Sequence, residues 1–161
     1  MTVAEFAPYS WHDDVIHGWH IEVGQESDWH SEVIFDIDHI VEWMCSTDGR
    51  HQFRVAPATL AFHDAGDLCI SIDCGDTAGQ VALYDLTIDH ISRVAIENQK
   101  ICLDRPFYRW RIELNSPRGG FISFAGSGFT QSLRAEPRLS PIVRLSPTFR
   151  PPSKGQNRAL G

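Results

Sequence analysis

A chain of 161 residues with 42% hydrophobic residues, five Trp and nine Phe has enough apolar material for one packed domain, which excludes a disordered polymer. Its net charge of −7 is unevenly spread: residues 1–92 carry 17 acids against only Arg50 and Arg54, and residues 93–161 carry four acids against twelve Lys and Arg. An acidic first part argues against nucleic acid and anionic membrane as partners and suits a basic protein, unless the two parts simply neutralise each other across one folded surface.

The chain opens with "MTVAEFAPYSWHDD", which lacks the basic and apolar regions of a secretory leader. No apolar run approaches the roughly 20 residues needed to cross a bilayer. Cys45, Cys69, Cys74 and Cys102 form no CxxC pair, so reduced thiols and a cytoplasmic location are expected.

The first strand is predicted where Val15, His17, Trp19, Ile21 and Val23 alternate with polar or small residues, followed by the polar turn "GQESD". The return strand places Val33, Phe35 and Ile37 on one face. "IDHIVEWM" also satisfies a helical spacing through Ile37, Ile40, Val41 and Met44, but its β-branched and aromatic content favours a strand. "FRVAPATLAF" reads as a strand broken at Pro57.

A second alternating run follows through Leu68, Ile70, Ile72 and Cys74, then the turn "GDTAG" and a strand through Tyr84, Leu86 and Ile88. "FYRWRIELN" sets Trp110, Ile112 and Leu114 on one face. "SPRGG" is a turn, and "FISFAGSGFTQSLR" returns as one or two strands with a bend near Gly126 and Gly128. No acid follows Glu136, and residues 151–161 are expected to be a disordered basic tail. The predicted fold is all-β, with room for one or two short helices: an antiparallel sandwich or partly closed barrel of residues 1–150.

An internal duplication is also expected. Shifting the sequence by 51 aligns His12 with His63, Asp13 with Asp64, Gly24 with Gly75, and "IDHI" at 37–40 with "IDHI" at 88–91. No gap is needed, so residues 11–58 and 62–109 read as two copies of one β unit, with a C-terminal hairpin completing the core.

The repeated pairs are the candidate chemistry. Imidazole and carboxylate are ligands for zinc, manganese or iron, and an imidazole oriented by a carboxylate can act as a base. Pseudo-symmetry would group His12, Asp13, Asp38 and His39, and separately His63, Asp64, Asp89 and His90. Against this stands a structural reading: Asp after His caps a turn, and His39 and His90 share strand parity with core residues. No cofactor is predicted on that reading, and a divalent transition metal on the other. Trp29 and Trp43, near hairpin ends, are the expected exposed anchors for a protein partner.

The run "APATLAFHDAGDLCISID", with "IDHISR" and "GGFISFAGSGFTQSLRAEP", resembles small β-rich bacterial domains of unknown function across residues 11–137. "WHDD" and "FHDA" resemble the FHD-type start of some immunity proteins of bacterial toxin systems. That second resemblance implies a non-enzymatic, toxin-binding protein. The leading expectation is therefore a protein-binding, immunity-like module with an acidic face; the alternative is a metal-binding protein or metal-dependent enzyme using the His and Asp pairs.

Overall fold

The computed structural model describes residues 6, 10–24, 30–45, 49–75, 85–97 and 105–151. Within them the chain forms nine strands and one 3-10 turn at Pro147–Phe149, and no α-helix. The strands are β1 Val15–Val23, β2 Ser31–Cys45, β3 His51–His63, β4 Gly66–Ser71, β5 Leu86–Ala95, β6 Tyr108–Ser116, β7 Phe121–Gly126, β8 Gly128–Leu133 and β9 Arg138–Ser140. They make one antiparallel sheet in the order β4-β7-β6-β5-β1-β2-β3-β8, with β9 also on β3. Both "IDHI" segments are strand.

The sheet folds over on itself without closing into a barrel. Alternation puts Val33, Phe35 and Ile37 of β2, and Trp110, Ile112 and Leu114 of β6, on the inner face, where all are buried. Rings from distant strands then meet. Phe62 on β3 lies 4.7 Å from Phe124 on β7 and 5.0 Å from Trp110 on β6, both edge-on. Phe35 reaches Phe124 at 6.4 Å.

The fold-over turns at a corner that the chain crosses twice, from β3 to β4 and from β7 to β8. There the Ser127 N–H donates to the His63 carbonyl at 2.9 Å. A Cβ on Gly126 would stand 2.9 Å from that same carbonyl oxygen, so a residue with a side chain could not pass this close.

Two expectations change. β3 is not broken at Pro57: it runs through, because Pro57 falls where β9 has stopped pairing at Val55 and β8 begins at Ala58, so its missing N–H deprives neither ladder. In β1 only Val15 and Ile16 are buried, whereas Trp19, Ile21 and Val23 are exposed. A register shift after Ile16 and the end of β5 pairing at Ile16 leave the rest of β1 uncovered.

An offset of 51 carries the start of β1 onto the start of β4 and lays most of β2 along β5. The pairing differs, however: β1 pairs with β2, whereas β4 pairs with β7. Asp13 and Asp64 have φ of 65° and 55°, a left-handed conformation that Asp tolerates better than most residues. Trp29, Tyr84, Cys102 and residues 152–161 lie outside the described residues.

Phe62→Ala should cost about 3–5 kcal/mol, since it removes a ring packed on four other aromatics. Chemical denaturation measures this, and a loss below about 1 kcal/mol would mean that the two halves of the sheet do not meet through this ring.

Candidate functional site

The repeated His and Asp residues separate into three places instead of two symmetric sets. The first is buried. Asp38 of β2 is fully buried and accepts from the Leu145 N–H at 2.7 Å and from Arg150 Nη2 at 2.9 Å; His17 Nε2 lies 3.0 Å away. Next to it, buried Asp14 accepts from the Ile40 N–H at 2.8 Å and shares a 2.7 Å hydrogen bond with His39 Nδ1. Burial would raise the Asp38 carboxyl, but His17, the Leu145 amide and Arg150 outweigh it and hold it below the usual carboxylate range. Asp14 goes the other way: burial pushes it up against the opposing contacts of His39 and Ile40. Asp38 and His39 therefore cement β1, β2 and the C-terminal segment, and His12 and Asp13 are elsewhere.

The second place is the corner between β3 and β4. Asp64 accepts from the Ser127 hydroxyl and from Arg105 Nη2 at 3.1 Å, and lies 2.6 Å from His30 Nδ1. His63 turns away and bonds Glu32 at 2.6 Å. Ser127 and His30 reach the same carboxylate, and no contact joins the hydroxyl to the imidazole among those described, so the nucleophile–base link of an acyl-transfer site is not assembled.

The third place gathers His12, Asp13, Asp89 and His90. Asp13 accepts from Asn115 Nδ2 at 2.8 Å, and His12 Nε2 lies 3.7 Å from Asp89 Oδ1. The first His-Asp pair thus meets the second Asp-His pair, a crossed arrangement that the assumed symmetry did not provide. His90 is exposed, against the parity expectation, because β5 shifts register between Ile88 and His90. His39 stays buried because β2 continues in register with β3 through Ile40.

Among the binding anchors, Trp43 is exposed on β2, with its ring 5.0 Å from Phe53 and 6.5 Å from His12. Trp11 and Trp110 are core.

A groove went unread in the sequence. On the outer face of β1-β2-β3-β8 lies a cavity of ≈ 530 Å³ lined by His20, Glu22, Glu32, Asp36, Thr130 and Arg134, with Ile34, Ala61 and Leu133 as apolar wall. The ladder explains it: His20, Ile34, Ala61 and Thr130 are successive cross-strand partners and so share one face. Polar residues at even positions of β2 were the available signal. Arg134 binds Asp36 and donates to the Pro151 carbonyl at 3.1 Å. Among the described residues, its Nε and the Nε2 of His20 are buried with no hydrogen-bond partner.

Asp38→Ala should cost about 1–3 kcal/mol at neutral pH, as it deprives the Leu145 N–H and the partly buried Arg150 guanidinium of their carboxylate. Because the folded carboxyl titrates below the ordinary 3.8, its stabilisation is complete above that range and is lost as pH falls through the folded value. Denaturation curves between pH 7 and 2 should therefore show a steeper acid loss in the wild-type protein than in Asp38→Ala; parallel pH profiles would overturn the assignment.

Comparison of the chain with family models, with curated proteins and with solved structures returns no match.

Proposed function

We propose that the chain is a non-enzymatic binding protein that receives a cationic side chain of a basic partner protein in the outer-face groove of β1, β2, β3 and β8. The observation that carries this reading is the groove's lining, in which, among the described residues, Glu22, Glu32 and Asp36 face one guanidinium, that of Arg134. Arg134 is engaged with Asp36, and at the other end the His20 imidazole lies 3.5 Å from Glu22 and the His63 imidazole 2.6 Å from Glu32.

A Lys or Arg side chain fits such a lining in two respects. Its charged head suits the carboxylates, and its aliphatic stem suits Ile34, Ala61 and Leu133. The volume lies in the range of small-ligand pockets and is ample for one long side chain. The acidity of residues 1–92 adds a long-range pull that speeds encounter with a basic surface. An immunity-like role toward a basic toxin is the form of this reading that the FHD-type resemblance implies.

The test is fluorescence anisotropy with a labelled arginine-rich peptide at low and physiological salt. The double variant Glu22→Gln/Glu32→Gln should bind about tenfold more weakly, or ~1.4 kcal/mol. Glu97→Gln, an exposed acid outside the groove, should leave affinity unchanged. Equal weakening by both substitutions would reduce the effect to net charge and remove the groove from the account.

A further inference from the structure

The crossed cluster on the other half of the sheet goes beyond the groove and is independent of it. We propose that Asp89, His90 and Glu113 form a binding site for one divalent transition-metal ion of the zinc class. One donor atom from each of these residues lies within 4.8 Å of the other two.

The backbone builds this convergence. His90 of β5 and Glu113 of β6 are direct cross-strand partners, so their side chains rise from the same outer face. Asp89, next in sequence to His90, would ordinarily point inward. It is the extra residue of a bulge, since Ile88 pairs with Leu114 and His90 with Glu113, which leaves Asp89 without an opposite number. The bulge brings its carboxylate round to His90, with Oδ2 3.0 Å from Nδ1.

The free and engaged oxygens are sorted to match. Glu113 takes the Arg111 Nε–H on Oε1 at 2.9 Å, and its other oxygen, Oε2, faces His90 Nε2 at 3.8 Å. Arg111 thereby orients the glutamate from outside the cluster, as outer-shell partners do for metal ligands. Asp89 turns Oδ1 toward His12, whose Nε2 stands 3.7 Å off. Asp89 and Glu113 also line a cavity of ≈ 250 Å³ beside the cluster, together with Arg111, Asn115 and Arg118.

The donor set selects the class of ion. Imidazole with carboxylates suits zinc and its neighbours, whereas magnesium and calcium prefer oxygen alone. Around a tetrahedral zinc with bonds of about 2.0–2.1 Å, any two donor atoms stand roughly 3.4 Å apart. His90 offers one nitrogen to an ion, so loading draws donor atoms that lie within 4.8 Å of one another together by roughly 1.4 Å or less, within the freedom of half-exposed side chains.

The experiment is calorimetric titration of the chelator-stripped full chain with zinc chloride, with thermal unfolding as the second readout. The wild-type protein should take up one zinc per chain and melt at a higher temperature when loaded. His90→Ala and Glu113→Gln should each weaken uptake at least tenfold while keeping the metal-free circular dichroism spectrum; should one misfold, the other decides. Cys45→Ser removes a thiol that lies 3.6 Å from His51, another pair able to bind zinc, and should change nothing. No uptake by the wild-type protein, wild-type affinity in both cluster variants, or loss confined to Cys45→Ser would each overturn the site.

Discussion

Asp38 is the point at which the fold is tied. Its carboxylate is wholly buried, yet it reaches β1 through His17 and the C-terminal segment through Leu145 and Arg150, while its backbone belongs to β2. A buried charge costs several kcal/mol to desolvate and becomes tolerable only when its partners are all in place. Register, strand neighbour and terminal docking are therefore selected together: a slip of one residue would turn Asp38 away from its donors and bring an apolar neighbour into a polar pocket. Asp14, buried alongside and held by His39 and the Ile40 amide, fixes the turn that feeds β1 in the same way.

With the inner face committed to rings and aliphatics, chemistry is pushed outward. Glu22 of β1 with Glu32 and Asp36 of β2 carry the carboxylates of the groove, and residues of β5 and β6 carry the His–Asp–Glu cluster. The two features sit on different halves of one sheet and use different strands. They differ in kind as well: the groove is an open trough with an apolar wall, and the cluster is a small knot of donors raised by a bulge.

The strands of the core were legible because period-two alternation is a local property. Trp110, Ile112 and Leu114 announce their common face whatever lies opposite them. The sites were less legible because they depend on register. The tetrapeptide "IDHI" occurs twice, yet His39 is buried and His90 is exposed, and a single bulge in β5 makes that difference. Glu113 joins the cluster only by lying opposite His90, which no spacing along the chain reveals. Likewise "WHDD" drew attention to His12 and Asp13, while the buried acid is the next residue, Asp14. Nothing in its immediate neighbours distinguishes it, since its partners lie on β2.

The doubly crossed corner bears on the order in which the protein can be made. β3 passes directly into β4 and β7 directly into β8, yet each of these neighbours in sequence sits at the opposite end of the sheet. A ribosome that has released β1 to β3 has made a three-stranded meander whose inner face, with Phe35, Leu60 and Phe62, has nothing to lie against. Cover arrives with β6 and β7, and the outer edge of β3 gains β8 only once Leu133 has emerged. The apolar face is thus bare through most of translation, a period in which other nascent chains compete for it. The 17 acids of residues 1–92, set against two basic residues, would give such incomplete chains a like charge that opposes their association.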